Sequence, residues 1–150
     1  MTMVSQRIQG KNYRPLRPYL VGREKVREFA LAVQSSSAVN YDADEAIALG
    51  FADVVAPPTF ASILQEHALE LLLEDRESGI DYSRIVHGDQ RFDYSRPIVA
   101  GDELHTVMTV TRVQSLGGYS MVTSETVVND QAGHHVVTAT STLVIRGDDS

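Results

Sequence analysis

The chain contains no cysteine and no tryptophan, and only five prolines, among 150 residues. The absence of cysteine excludes disulfides, thiolate metal ligands and a cysteine nucleophile, and it fits a reducing compartment. No apolar run approaches the ~18 residues that span a bilayer, and the first residues lack the apolar segment of a secretory signal. The sequence therefore predicts a cytoplasmic protein without a membrane span.

Basic residues are also scarce, because 13 lysines and arginines stand against 20 aspartates and glutamates, for a formal net charge of -7. Nucleic-acid binding needs clustered positive charge, so this composition argues against a nucleic-acid partner. Arg23, Lys25 and Arg27 form a basic cluster, but they are interleaved with glutamates, which is typical of a solvated helix face. An acidic carrier protein could still be steered by such a local patch.

The length and the hydrophobic content of 43% predict one domain, residues 1–150, with a substantial core. Residues 14–22 are expected to be extended, because Pro15 and Pro18 keep them from forming a helix. A first helix is predicted over residues 23–33, where apolar side chains recur at i, i+3, i+4 and i+7.

Two further helices are predicted in the first half of the chain. A short one starts at Asp42, with Glu45 three residues later as in a capping box, and ends at Gly50. The other covers residues 59–75, with Pro58 suited to its first position. It is the longest and most apolar of the three predicted helices.

From Arg84 onward the sequence pattern changes to that of β-strands. Segments rich in valine, threonine and aromatic residues are separated by turn sequences that contain glycine or proline. The predicted strands are residues 84–94, 103–113, 120–128 and 134–145. Four consecutive strands predict an antiparallel meander, and helices followed by strands predict an α+β fold. We expect one long helix against the concave face of a curled sheet, which is the hot-dog arrangement.

His87 and Asp89 are candidate chemical groups, because residues two apart in a strand project from the same face and could act as a base and its partner. A polar strand edge or a subunit contact is the simpler interpretation. Gly88 between them is typical of a bulge or of close backbone approach to a ligand. His67 lies in the apolar stripe of the long helix, where a core or interface histidine is more usual than a catalyst.

No sequence pattern indicates a cofactor or a metal. His134 and His135 follow a glycine-containing turn, but a third metal ligand is not in sight. Ser62 has no glycine elbow and no identifiable partner, which argues against a serine nucleophile there. The sequence has neither a GKS/T phosphate loop nor a GxGxxG motif. We therefore expect no cofactor and no metal site.

Two segments, AVQSSSAVNYDADEAIALGFADVVAPPTF and VHGDQRFDYSRPIVAGDEL, carry a family resemblance. Together they resemble the MaoC-like hot-dog dehydratases and hydratases. The resemblance is closer to the actinobacterial branch that includes the substrate-binding subunit of heterodimeric (3R)-hydroxyacyl-ACP dehydratases. It covers nearly the whole chain and implies a dimeric, double hot-dog protein.

Catalytic members of that family carry the loop Gly-Asp-x-Asn-Pro-x-His, which falls on residues 34–40 of this chain, and a second Asp that falls on Asp42. The first Asp position is Ser35 and the His position is Asn40. In the family mechanism, Asp and His remove a proton next to the thioester carbonyl and move water onto or off the neighbouring carbon. Serine and asparagine cannot accept that proton. The resemblance therefore implies an acid/base loop without its titrating groups.

The resemblance implies an acyl-thioester-binding, non-catalytic subunit of a (3R)-hydroxyacyl-ACP or -CoA dehydratase in fatty-acid metabolism. Its partners would be acyl-CoA or acyl-ACP and a second hot-dog chain, in a homodimer or in a heterodimer with a catalytic subunit. We expect the substrate contacts at the start of the long helix and along it: Pro57, Thr59, Phe60, Leu64 and His67.

Two alternatives remain open. The chain could be a self-sufficient homodimeric dehydratase, hydratase or thioesterase that uses His87 and Asp89 in place of the lost pair. It could also be a regulatory module that holds an acyl thioester and catalyses nothing.

Overall fold

The computed structural model describes residues 3–147 of the chain. The three predicted helices are present as α1 (Arg23–Ala32), α2 (Ala43–Ala48) and α3 (Ala61–Glu74). A 3₁₀ turn, Pro58–Phe60, precedes α3, so Pro58 begins this turn and not α3 itself. Within residues 3–147, no helix has both the length and the apolar character needed to cross a membrane.

Six strands form one antiparallel sheet, with β2 on a short branch from β4. The order along the sheet is β1, β4, β5, β6 and β3. The strands are β1 (Asn12–Tyr13), β2 (Tyr19–Leu20), β3 (Ile85–Tyr94), β4 (Glu103–Leu116), β5 (Tyr119–Asn129) and β6 (His135–Arg146).

The predicted meander is correct for β4, β5 and β6, but it is wrong for β3, which pairs with β6 and not with β4. Residues 95–102, between β3 and β4, do not form a hairpin, because their backbone makes hydrogen bonds with residues 54–56. The Ala56 N–H donates to the Ile98 carbonyl (2.8 Å), and the Ala100 N–H donates to the Val54 carbonyl (3.0 Å). The chain is thereby carried to the other side of the sheet before β4 begins, and β3 becomes an edge strand.

The core lies between α3 and one face of the sheet. The α3 helix contacts β1, β4, β5 and β6, and Phe60, Leu64 and Leu72 have at most 1% of their surface exposed. Buried residues alternate with less buried ones along most of β4, so one face of this strand is turned to the core. The predicted α+β class, with a long helix packed on an antiparallel sheet in the hot-dog arrangement, is confirmed.

The short helix α2 is capped by Asp42, as predicted. Its carboxylate accepts hydrogen bonds from the N–H groups of Asp44 (2.8 Å) and Glu45 (3.3 Å). The reciprocal half of the capping box is replaced, because the Asp42 N–H donates to the Ala38 carbonyl (2.9 Å). Gly50 follows the helix with φ of 92°, the left-handed conformation that glycine adopts easily.

The edge strand β3 contains a bulge at Gly88, which is one of the two features that a glycine in a strand indicated. His87 pairs with Leu143 and Asp89 pairs with Thr142, which are successive residues of β6, so Gly88 is the extra residue. His87 therefore shares the face of the buried Leu143, while Asp89 lies on the opposite face. The expectation that His87 and Asp89 project from the same face is wrong.

Candidate functional site

A cavity of about 500 Å³ lies where three loop segments meet, at residues 35–40, 55–58 and 94–97. Volumes of this size are usual for small-molecule sites. Aliphatic side chains and prolines make up much of the wall, among them Val39, Val55 and Pro57. This cavity, called the loop pocket below, contains the two positions at which the sequence resemblance places the missing acid and base.

The end of α1 sets the position of the loop that forms one wall. Gln34 has φ of 59°, its N–H donates to the Leu31 carbonyl (3.1 Å), and the Ser35 N–H donates to the Ala30 carbonyl (2.8 Å). These two bonds and the left-handed residue form a Schellman cap. Gln34 also occupies the position of the glycine in the family loop, so the cap explains why glycine suits that position.

The side chains of Ser35 and Asn40 form a hydrogen bond with each other in the wall of the loop pocket. The Ser35 hydroxyl donates to Asn40 Oδ1 (2.5 Å), and Asn40 Nδ2 donates to the Val55 carbonyl (2.6 Å). The Tyr41 hydroxyl holds the same loop from outside by donating to the Ser35 carbonyl (2.5 Å). We refer to the bonds that join Ser35, Asn40 and Val55 as the clasp. Only 5% of the Asn40 surface is exposed, so the clasp is a nearly buried tie between two loops.

The clasp can hold the loop in place, but it cannot act as a general base. A general base must have a pKa near the working pH, and neither a serine hydroxyl nor a carboxamide has one. A buried amide with both ends bonded is, however, well suited to holding a loop, because unpaired buried polar groups are costly. Ser35 and Asn40 thus stabilise the shape of the loop pocket.

Two ionisable side chains in the pocket wall keep their protons at neutral pH. Burial raises the pKa of Tyr94 to about 12, and its hydroxyl donates to the Pro58 carbonyl (2.5 Å). Arg96 donates two hydrogen bonds to Asp102 (2.9 and 3.0 Å) and one to Asp130 (3.3 Å). The bonds to Asp102 raise the pKa of Arg96 further. Neither side chain can therefore take a proton from a substrate.

The predicted substrate contacts do not converge on one pocket. Pro57 lines the loop pocket, and Thr59 is exposed in the turn before α3. Phe60 is completely buried, with its ring against Phe29 (5.4 Å between centroids) and Tyr19 (6.3 Å). Phe60 is therefore a core residue of this chain, and its contact with a substrate stays a prediction.

Leu64 and His67 line a second groove of about 570 Å³, between α3 and residues 15–19. Its other side carries Tyr19, whose ring lies 5.6 Å from the His67 ring. Leu64 is only 1% exposed, so it contributes little surface to this groove. A role of this groove in substrate binding stays a prediction.

The alternative pair His87 and Asp89 lies outside the lining of the loop pocket. Because the bulge at Gly88 turns the two side chains to opposite faces, Asp89 cannot orient His87 as a partner base would require. The hypothesis of a self-sufficient enzyme that uses His87 and Asp89 rested on their lying on the same face, and the structure does not place them there.

The basic cluster on α1 is partly neutralised by ion pairs. Arg23 donates two hydrogen bonds of 2.9 Å to the Asp53 carboxylate, and Arg27 is paired with Glu24. Arg23 remains 66% exposed at its side chain, as expected for a solvated helix face. Lys25, the third member of the cluster, is exposed to solvent.

Sequence reasoning did not single out Tyr94, Ser95 or Arg96, although they form one wall of the loop pocket. The available signal was the stretch DYSRPIVAGD, which is part of the resemblance and contains all three residues. Their role in the wall depends on the path of residues 95–102, which the predicted hairpin did not allow. Within residues 3–147, no group of three or more His, Asp or Glu side chains is placed to hold a metal ion.

The fold and the pocket define a hot-dog protein of the dehydratase class, and comparison with known proteins agrees. The chain belongs to the family described as the FAS1-like dehydratase domain region, whose model matches residues 7–139. Its relatives include the UPF0336 protein Lxx02810 of Leifsonia xyli subsp. xyli. That protein is 55% identical over 149 residues, which is 99% of this chain and 100% of the relative.

Solved structures give the same class. The HadBC (3R)-hydroxyacyl-ACP dehydratase complex of Mycobacterium tuberculosis contains a chain that is 33% identical, with a TM-score of 0.81, over 91% of this chain and 96% of that one. A MaoC-like dehydratase is 37% identical, with a TM-score of 0.85, over 95% of this chain. The match covers 43% of that second protein, so this chain corresponds to under half of its length.

Proposed function

We propose that this chain is the acyl-thioester-binding, non-catalytic subunit of a (3R)-hydroxyacyl-ACP or -CoA dehydratase in fatty-acid metabolism, working in the cytoplasm. The observation that carries the proposal is the clasp. At the two positions where catalytic relatives are expected to hold an acid and a base, Ser35 and Asn40 bond each other and the Val55 carbonyl. The catalytic pair would then come from a second hot-dog chain.

The edge strand β3 supports the requirement for a partner. β3 pairs only with β6 in the described chain, so one side of its backbone has no strand beside it. A ten-residue open edge is a ready site for pairing with another chain. The similarity to a chain of the HadBC dehydratase complex supports a heteromeric arrangement, although a homodimer would also cover the edge.

The loop pocket supports an acyl thioester as the ligand. Its aliphatic wall suits an acyl chain or a pantetheine arm, and buried apolar surface contributes about 0.8 kcal/mol per methylene group. The hydrogen-bonding capacity of Asn40 is largely used within the clasp, so this side chain offers little to a polar ligand.

Activity measurements on the separate and assembled chains test the non-catalytic role. Alone, this protein should not dehydrate (3R)-hydroxyacyl thioesters, because a general base commonly contributes ~10² to 10⁴ in rate and the clasp supplies none. Co-expression with a hot-dog chain that retains its Asp and His should produce turnover. Replacement of that partner's His should remove the turnover, whereas Asn40→Ala here should reduce it far less.

Calorimetry tests the binding half of the proposal. Affinity for thioesters from butanoyl to hexadecanoyl should rise with chain length until the pocket is filled. Val39→Asp, in the pocket wall, should weaken binding more than Leu31→Asp, which changes an exposed residue of α1. Two results would contradict the proposal. One is an affinity that does not change with acyl-chain length, and the other is dehydration by this protein without a partner chain.

A further inference from the structure

A serine and a histidine lie in contact at the rim of the loop pocket. Ser95 directly follows β3, and its N–H donates to the Val136 carbonyl (2.8 Å), so the sheet register sets it beside His135. The Ser95 Oγ lies 2.5 Å from His135 Nδ1. On the other side of the imidazole, Nε2 lies 2.7 Å from the Thr138 hydroxyl. Ser95 also lines the loop pocket.

One tautomer makes this arrangement a nucleophile and a base. With its proton on Nε2, His135 donates to Thr138 and accepts the Ser95 hydroxyl proton at Nδ1. Thr138 then orients the base, as the third group does in serine hydrolases. In the reverse arrangement, the Thr138 hydroxyl donates to Nε2 and His135 donates to Ser95, which leaves Ser95 without activation. Chemical reactivity of Ser95 distinguishes the two.

We infer that Ser95 is a nucleophile that takes the acyl group from a thioester bound in the loop pocket, and that the chain, non-catalytic for dehydration, hydrolyses acyl thioesters slowly as a separate reaction. The thioester part of this inference rests on the proposed function. Ser95 Oγ bonds to the carbonyl carbon while its proton passes to His135 Nδ1. The C–S bond breaks and the thiol leaves with that proton. Water then attacks the acyl-serine ester, His135 takes its proton, and the acid is released as Ser95 regains a hydrogen.

Arg96 is the neighbouring group that can stabilise the oxyanion of these steps. Among the described residues that line the loop pocket it is the one cation. Its charge is already shared with Asp102 and Asp130, so the stabilisation is weaker than that of a dedicated oxyanion hole. Slow turnover is the expected consequence.

A fluorophosphonate probe tests the nucleophile without requiring thioester recognition. The purified chain should gain one covalent adduct by intact mass, and peptide mapping should place it on Ser95. Ser95→Ala should abolish the adduct, and His135→Gln should slow its formation by about 10²-fold, the usual contribution of a general base. Ser62→Ala is the matched control, since Ser62 lies on α3 outside the loop pocket. Thermal melts confirm that each variant is folded.

Thioester hydrolysis is monitored through the release of free thiol, and binding of the same compounds is measured by calorimetry. Wild type should release thiol slowly, and Ser95→Ala should lower the rate at least tenfold while it still binds the thioester. Absence of the Ser95 adduct, or thiol release unchanged by Ser95→Ala, overturns the inference. If the thioester still binds in that case, the proposed function stands. If no thioester binds, the proposed function fails as well.

Discussion

Gln34 holds a backbone conformation that glycine would adopt more easily. Its φ of 59° is needed for the Schellman cap that ends α1. Left-handed backbone costs a residue with a Cβ about 1–2 kcal/mol, and glycine avoids this cost. The family loop has glycine here, whereas this chain retains the conformation without the residue that favours it.

Replacing Gln34 by glycine should stabilise the protein. The relief of left-handed strain is partly offset by the greater backbone entropy of glycine in the unfolded chain, about 0.5–1 kcal/mol. We expect a net gain of about 0.5–1 kcal/mol in the free energy of unfolding, measured by urea denaturation. Ser36→Gly in the same loop is the control, because Ser36 has no positive φ to relieve. Destabilisation by Gln34→Gly would show that the glutamine side chain stabilises the loop.

At the scale of elements, the end of α3 is fastened to the N-terminal segment by one carboxylate. Asp75, the C-cap of α3, accepts hydrogen bonds from the Tyr13 hydroxyl (2.6 Å) and the Lys11 amine (3.0 Å). It also accepts the Glu77 N–H (3.0 Å). A carboxylate at a helix C-terminus is unfavourable for the helix dipole, and these donors offset it. The Tyr13 and Lys11 bonds lower the pKa of Asp75.

Acid should therefore weaken this connection. Because the folded-state pKa of Asp75 lies below its unfolded value of about 3.9, its stabilisation is complete above that pH and is lost as pH falls through the folded pKa. The melting temperature should drop as the pH falls below about 4. In Asp75→Asn, stability at neutral pH should be lower, by about 1–3 kcal/mol, and the drop in acid should be smaller.

Glu125→Gln is the control for this pH dependence. Glu125 is an exposed carboxylate on β5, away from the bonds that hold Asp75. Its variant should keep both the neutral-pH stability and the acid drop of wild type. An unchanged acid drop in Asp75→Asn would mean that other carboxylates dominate.

At the scale of the whole molecule, the free edge of β3 carries a stripe of alternating charge. Asp89, Arg91 and Asp93 pair with Thr142, Thr140 and Thr138 of β6, and their side chains therefore share the outer face. Two such edges in antiparallel contact can place Arg91 of one chain opposite an aspartate of the other. Opposite charges across strands favour pairing, and like charges oppose it.

We expect the chain to be a dimer or larger assembly in sedimentation velocity at micromolar concentration. Arg91→Asp would leave only acids on the stripe, so it should weaken self-association or partner binding by tenfold or more. Arg112→Asp on β4 makes the same charge change away from β3 and should leave assembly intact. A monomeric wild type that also fails to bind a hot-dog partner would contradict the dimer proposal.

The sequence by itself determined the local structure, because local structure depends on near neighbours. The apolar period predicted α1 and α3, and Asp42 predicted the start of α2. The α+β order of elements and the hot-dog arrangement followed from the same patterns and the family resemblance. The resemblance also predicted, from the sequence alone, that Ser35 and Asn40 stand at the acid and base positions of the family loop.

Only the tertiary structure decided which distant groups meet, because contacts between remote segments depend on the path of the chain. The backbone bonds of residues 95–102 to the loop at 54–56 send β3 to the edge and bring Ser95 and Arg96 to the loop pocket. The bulge separates His87 from Asp89, and core packing buries Phe60 completely. Residue spacing alone assumes that a strand alternates regularly and that the apolar stripe of a helix is open to a ligand. Here the extra residue in β3 placed His87 and Asp89 on opposite faces, and the rings of Phe29 and Tyr19 cover Phe60.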